Sequence, residues 1–227
     1  TKIGKEITIA VKQGGPDVVG NSRLRALLAE ARSENMPKDN VEKAIKRALE
    51  KNQGDFKEVV FEGYGPHGIA YLVETATDNN TRTVANVRSY FTKCGGSLGT
   101  SGSVSFMFDH KCVFRIKYQE GMDLDELQLA LCECDDDPEV FIEEQEDKDE
   151  NITKNVVIYG AYESYGAIQK YIEDNGYELV SGGFERIPNV ELKDVTPEQR
   201  ETLDKLTGLL EDDDDVTNVY STLKPAE

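Results

Sequence analysis

Residues 58–108 read EVVFEGYGPHGIAYLVETATDNNTRTVANVRSYFTKCGGSLGTSGSVSFMF, and the period of the apolar residues changes twice along them. Val59, Val60 and Phe61 lead into a Gly65-Pro66 turn, and Ile69 to Thr75 is a short β-branched and aromatic run bounded by turn residues, the pattern of a strand. Asp78-Asn79-Asn80-Thr81 then offers N-cap chemistry, while Val84, Val87, Phe91 and Cys94 recur at helical spacing, which predicts an amphipathic helix from Thr81 to Cys94. Gly95 and Gly96 stop it. Val104, Phe106 and Phe108 alternate with Ser103, Ser105 and Met107, as in a strand that lays one face on that helix. The stretch is a β-turn-β-α-β unit.

Downstream the same grammar recurs. Cys112 to Tyr118 alternates as a strand, Asp123 to Cys132 carries Leu124, Leu127 and Leu131 at helical spacing, and Glu139 to Glu144 is a strand. A charged loop from Gln145 to Lys154 precedes a strand at Val156 to Tyr159, a helix from Tyr162 to Asn175 closed by Gly176, and a strand from Tyr177 to Phe184. That order, β-α-β-β-α-β, is the ferredoxin-like one. Arg186 to Asp194 reads as a further strand; Thr196-Pro197 caps and starts a helix with Leu203, Leu206, Leu209 and Leu210 inward, and Val216 to Thr222 is the last strand. Joined to residues 58–108, these closing elements complete a second such layout around the first.

Upstream, Ile3, Ile7, Ala10 and Val11 recur at helical spacing until Gly14-Gly15-Pro16. Asn21 or Ser22 caps a helix carrying Leu24, Leu27, Leu28 and Ala31, and a third helix starts near Pro37 with Val41, Ala44, Ile45, Ala48 and Leu49 facing its neighbours. The fold class is therefore α+β: an N-terminal helical bundle plus two ferredoxin-like α/β domains, one inserted in the other. The expected domains are 1–54 (basic, helical), 55–111 plus 186–227 (discontinuous α/β) and 112–185 (inserted), with Gln53-Gly54-Asp55 as linker.

Two glycine patterns invite a phosphate-loop reading. Gly63, Gly65 and Gly68 satisfy G-x-G-x-x-G, but a dinucleotide fingerprint opens a helix, and here a strand follows, so a tight turn is the better reading. Gly95 to Gly102 has no Lys-Ser or Lys-Thr after it and is no P-loop. These loops either turn corners or offer backbone amides to phosphate beside Arg82, Lys93, Thr100 and Ser101.

The 227 residues suffice for one to three domains at about 100–200 residues each. No apolar run approaches the roughly 18 residues of a membrane span, and no signal peptide is visible, which points to the cytoplasm. Cys94, Cys112, Cys132 and Cys134 lack C-x-x-C spacing, and His67 and His110 are the only histidines, so neither a metal site nor any cofactor is expected. Asp135 to Asp137 beside the last two cysteines raises their thiol pKa values and argues against reactivity. Asp135–Asp137 and Asp212–Asp215 lack the ligand alternation and central glycine of a calcium loop and read as solvated turns, with a surface that repels nucleic acid as the alternative.

Charge is the most informative property of the composition. Residues 1–51 hold eleven Lys or Arg against seven Asp or Glu, a net of +4, while the remainder holds 26 − 11 = 15 against 44 − 7 = 37, a net of −22. A basic head on an acidic body is a docking end for phosphates. In the third helix Lys43, Lys46 and Arg47 lie at i, i+3 and i+4 and share a face, and Arg23 and Arg25 open the second. A solvated face with Glu30, Glu34, Glu42 and Glu50 as local partners is the plain alternative. Nucleic-acid contact is expected at Arg23, Arg25, Lys43, Lys46 and Arg47, then at Arg82 and Lys93.

Glu62-Gly-Tyr-Gly-Pro66, Asp78-Asn-Asn-Thr-Arg-Thr83, the run from Lys93 to Val104, Asn21-Ser-Arg-Leu-Arg25, the run from Asn35 to Ala48 and Glu211-Asp-Asp-Asp-Asp215 resemble, in order and spacing, the YebC/PmpR family of bacterial proteins. Its mitochondrial relatives are translational activators of cytochrome c oxidase. The resemblance covers nearly the whole chain and implies a helical head with two α/β domains. It also implies a basic leader with a His-Ser-Lys-Trp motif; the chain begins at Thr1 and has no Trp, so the expectation is that a leader precedes it.

No nucleophile-base pair with recognisable context appears, so the chain is not expected to be an enzyme. The resemblance implies a regulator of gene expression and leaves two targets. One is the ribosome, through rRNA or tRNA, in a factor that helps translation of proline-rich sequences; the other is duplex DNA, in a transcriptional regulator. So acidic a chain has no broad basic surface for duplex DNA, whose affinity comes from phosphate neutralisation, and no helix-turn-helix signature, so the ribosome is the first expectation. A protein-only adaptor acting through its acidic face is the third. A monomer with no membrane partner is expected.

Overall fold

Side-chain caps set several of the helix starts, and they are local. Asn21, Asn79, Asp123 and Thr196 each accept a backbone N–H of the first turn of the helix that follows, and Thr196 completes a capping box with Gln199. The structure, a computed structural model, describes residues 2–51 and 54–227; Gln53, where the expected linker begins, lies outside them. In chain order the elements are α1 (Lys2–Gly14), α2 (Ser22–Ser33), α3 (Lys38–Leu49), β1 (Lys57–Tyr64), β2 (Ala70–Thr77), α4 (Asn80–Lys93), β3 (Ser97–Leu98) and β4 (Phe108–Lys117). Then come α5 (Leu124–Leu131), β5 (Glu139–Glu146), β6 (Ile152–Ala161), α6 (Tyr165–Asp174), β7 (Leu179–Pro188), α7 (Pro197–Glu211) and β8 (Val216–Ser221). The protein is α+β, with an N-terminal helical region and two antiparallel four-stranded sheets.

The described residues fall into two units. One, the nested unit, comprises Glu6–Lys51 and His110–Glu185; the other, the flanking unit, takes the rest.

In the nested unit the sheet order is β5-β6-β4-β7, the ferredoxin-like arrangement. Cys112, Phe114 and Ile116 of β4 and Val156 and Ile158 of β6 alternate inward against Leu127 and Leu131 of α5 and Ile168 and Ile172 of α6. The helical head belongs to this unit. Asn21, 6% exposed, donates to the carbonyls of Ala10 and Gly15 at 2.9 Å each while capping α2, so one amide fixes the α1–α2 corner. Thr8 Oγ1 donates to the Ala44 carbonyl at 2.9 Å, and Gln169 Nε2 to the Ser22 carbonyl at 2.8 Å. A Cβ at Gly182 of β7 would stand 2.7 Å from the Phe114 ring and 3.3 Å from Ala26 of α2, so only glycine allows that approach.

In the flanking unit the order is β3-β1-β2-β8, with β1 and β2 a hairpin. Tyr71 and Val73 of β2 pack with Val87 and Phe91 of α4 and Leu203, Leu206 and Leu210 of α7. The sheet has the same layout as the nested one, with β8 at the chain end in the place that the nested unit gives to its second strand.

The structure corrects several expectations. Ser105–Met107 is a 3₁₀ turn rather than a strand, and the strand that follows α4 is the two-residue β3, inside the glycine-rich stretch. Half of the charged loop expected from Gln145 to Lys154 is the ends of β5 and β6, paired from Glu139↔Tyr159 to Glu146↔Ile152, and the loop itself is Asp147 to Asn151. No separate strand covers Arg186 to Asp194: β7 runs on to Pro188, and Lys193 makes one bridge to Leu223. Nor are the acidic runs merely solvated. Asp135, 8% exposed, accepts from Ala161 N (2.8 Å), Ser164 Oγ (2.5 Å) and Asp137 N (3.1 Å), and Asp215 is 4% exposed.

Candidate nucleic-acid interface

In the nested unit, α3 presents its lysines outward. Pro37 starts the helix, Asp39 sits in its first turn and Lys46 and Arg47 in its last, each on the side the helix dipole favours. Ala44 is the residue of α3 that is buried, so the helix lies on its neighbours by one edge. Lys43 and Lys46 are exposed, and among the described residues neither pairs with a carboxylate; Arg47 is partly buried beside them. Two cations held in the open three positions apart can neutralise adjacent phosphates.

Arg23 and Arg25 of α2 are held by partners within the unit. Arg23 donates through Nη1 to the Gly182 carbonyl and through Nη2 to Glu6 Oε2 at 3.2 Å, with its guanidinium 5.8 Å from the Phe184 ring centre. Arg25 forks onto Glu173 (2.8 and 3.0 Å) and gives Nη1 to the carbonyls of Val18 and Val19. The Glu173 hydrogen bonds raise its pKa further. Both arginines brace α2 rather than offer charge to solvent.

Beside them, α2 and the sheet leave a cleft of about 890 Å³ lined by Leu28, Glu30, Arg115, Lys117 and Asn155 among others. Burial, reinforced by Glu6 and Glu34 against the opposing charges of Arg23 and Arg115, pushes the Glu30 carboxyl up to about 7. Arg115 itself is spent on Glu143 (3.0 Å) and Glu185 (3.4 Å).

In the flanking unit, Arg82 is tied to Asp215 and to Asp78 (3.2 Å), while Lys93 is exposed in the last turn of α4. The glycine-rich loop after α4 has no vacant amide cradle. The buried carboxylate of Glu62 already accepts Gly102 N (2.6 Å), Val104 N (3.1 Å) and Ser105 N (2.6 Å), as an anion in a nest does. Burial alone would raise the pKa of Glu62, but these N–H bonds outweigh it and hold the carboxyl below its ordinary value. The Gly63-Gly65-Gly68 motif is the β1–β2 turn, closed by Gly65 N on the Ile69 carbonyl at 2.8 Å, with His67 at φ 64°.

Sequence reasoning named Glu62, Asp215, Asp135 and Glu30 only within a motif, in acidic runs or as a helix-face partner, and gave none of them a structural role. Partners 26 to 133 positions away hold Glu62, Asp135 and Asp215, and Glu6 and Arg115, which act on Glu30, lie on other elements; no local spacing signals that. Cys94 and Cys112 are buried, Cys134 is half-buried and Cys132 exposed; burial pushes the Cys112 thiol up to about 11. Among the described residues no group of three or more metal-ligating side chains could hold an ion.

Comparison with known proteins adds three findings. Residues 1–51 match the family description "TACO1/YebC protein N-terminal domain", and residues 56–223 match "TACO1/YebC second and third domain". A protein of Parabacteroides distasonis is 58% identical over 224 residues, 99% of this chain and 88% of its own, and one of Bacteroides fragilis is 56% identical over 227 residues, 100% and 89%. Both are named as probable transcriptional regulatory proteins. The crystal structure of a conserved hypothetical protein from Aquifex aeolicus, 32% identical, superposes with a TM-score of 0.77 over 100% of this chain and 89% of that one.

Proposed function

The chain belongs to the TACO1/YebC family, and from that premise we propose that it is a non-enzymatic regulator of gene expression that docks on nucleic acid through Lys43, Lys46 and Arg47. The observation that carries the reading is the outward basic face of α3, kept on a chain whose net charge is −18. Lys93 is a second phosphate contact. Arg23, Arg25 and Arg82, expected to touch phosphate from their spacing, are engaged within their units and contribute by holding those units in shape. The names of the relatives favour action at transcription, on duplex DNA.

A second reading, action at translation on ribosomal RNA or tRNA where proline-rich sequences slow synthesis, is favoured by the charge distribution. An acidic body cannot lie along a duplex, whereas a small cationic head can enter an RNA-lined site. Either reading places the protein in the cytoplasm; among the described residues no helix is long and apolar enough to cross a membrane. The test is a salt titration of binding to a 30-base-pair duplex and to purified ribosomes. Tighter, salt-sensitive duplex binding supports transcription, and retention on ribosomes at salt that releases the duplex supports translation. If K43E/K46E/R47E leaves both kinds of binding unchanged, the α3 face is not the docking surface.

A further inference from the structure

We infer that the free edge of β5 is a docking strand for an extended, lysine- or arginine-rich protein segment. This goes beyond the nucleic-acid reading and uses none of its residues. In the nested sheet, β5 pairs along all eight residues with β6 and stands at the end of the order β5-β6-β4-β7, so among the described residues no strand pairs with its other side, which presents backbone donors and acceptors. An edge of eight residues, about 26 Å at about 3.3 Å each, is long enough to template a further strand.

Such edges are ordinarily defended by charged side chains, lysine above all, by proline or by a bulge. This one is defended by charge of one sign. From Glu139 to Glu150 the chain carries seven acidic side chains, Glu139, Glu143, Glu144, Glu146, Asp147, Asp149 and Glu150, against Lys148 alone. Acid against acid repels a second copy laid alongside, and repels RNA equally, whereas a cationic chain is attracted. Two of the acids hold cations only loosely, Glu139 to Lys111 and Glu144 to Lys154 at 3.5 Å each, exposed pairs that an incoming chain displaces at little cost.

The strand also shows apolar surface on both faces. Phe141 is 42% exposed and stacks on Tyr159 with ring centres 5.6 Å apart, and Ile142, pointing to the opposite face, is 39% exposed. A segment added by backbone hydrogen bonds would place alternate side chains over these two residues and its cations over the glutamates, the division of labour of strand addition.

The test uses the whole chain and a fluorescein-labelled decapeptide of Lys-Thr-Lys-Val repeats, read by anisotropy and by amide hydrogen exchange of β5. Binding should slow exchange in Glu139–Glu146. A peptide of the same sequence with every backbone nitrogen methylated, which removes the strand donors on both edges, should bind at least tenfold more weakly, as should the unmodified peptide to E139K/E144K/E146K. Equal binding of the methylated peptide, unchanged affinity of the variant, or unchanged β5 exchange would each overturn the proposal. So would slowing of β5 by single-stranded RNA in place of the peptide, or by raised protein concentration alone, which would assign the edge to RNA or to a second copy. Exchange in the unmodified protein decides the matter even if the variant does not fold.

Discussion

Arg82 and Asp215 close a two-point ion pair across 133 positions of sequence, Nε 3.0 Å from Oδ2 and Nη2 2.8 Å from Oδ1. The same carboxylate accepts Thr83 Oγ1 at 2.9 Å and faces Lys5 Nζ at 3.4 Å, while its backbone carbonyl accepts Ala76 N. The last residue of an acidic run is thus the pin that joins α4, the end of β2 and the approach to β8.

Asp215→Asn is accordingly expected to destabilise the flanking unit by about 2–4 kcal/mol, because a buried acceptor of charged hydrogen bonds becomes a half-donor. The pH dependence has a defined sign. Burial works against the ionised form, but Arg82, Thr83 and Lys5 outweigh it and hold the folded-state pKa below the ordinary 3.8. That stabilisation is present above the unfolded value and is lost as pH falls through the folded one. Urea midpoints between pH 6 and pH 2 should fall less steeply in the variant; equal slopes would remove Asp215 from the acid transition.

Glu30 has the opposite sign. Its carboxyl, pushed from 4.5 up to about 7, prefers the protonated form in the folded protein. The stabilisation is complete below 4.5 and is lost as pH rises through 7. Glu30→Gln keeps the neutral shape, so at pH 8 it should be more stable than the parent by on the order of 1–2 kcal/mol, and at pH 4 nearly equal. Denaturant titrations at the two pH values check this, and a variant less stable at both would show that the carboxylate itself is needed.

Glu62→Gln tests the amide nest. The replacement keeps one oxygen for Val104 N–H and Ser105 N–H but turns an NH₂ toward Gly102 N–H, at a cost of about 1–3 kcal/mol. Hydrogen exchange at Gly102, Val104 and Ser105 should quicken more than at β2. A companion change, Gly96→Ala, would place Cβ 2.3 Å from the Tyr64 carbonyl oxygen and force β1 and the glycine-rich stretch apart, so it should quicken exchange over the same loop.

What was legible in the sequence follows the range of the forces involved. Asn21, Asn79 and Thr196 act on their own first turns, so their helices could be read directly, and Ile168 or Leu206 show their inward faces by spacing. β3 could not be read: Ser97 and Leu98 become a strand only because β1 lies beside them and Glu62 gathers the following loop. Arg25 and Lys46 illustrate the same limit at the candidate interface. Both are cations on amphipathic helices, yet Glu173, 148 positions from Arg25, closes on one and, among the described residues, no carboxylate pairs with the other. Spacing along one helix does not carry that information.

That contrast gives the last prediction. Each phosphate contacted contributes about 0.9 to the slope of log K against log salt on duplex DNA and about 0.7 on a single strand. If Lys43 and Lys46 meet phosphates, K43Q/K46Q should lower the slope by about 1.4–1.8 and leave the urea midpoint within about 0.5 kcal/mol of the parent. Arg25→Gln should do the reverse, leaving the slope and costing about 1 kcal/mol of stability through the lost Glu173 fork. The two readouts separate a docking cation from a bracing one, and a slope that falls with Arg25→Gln would return α2 to the docking face.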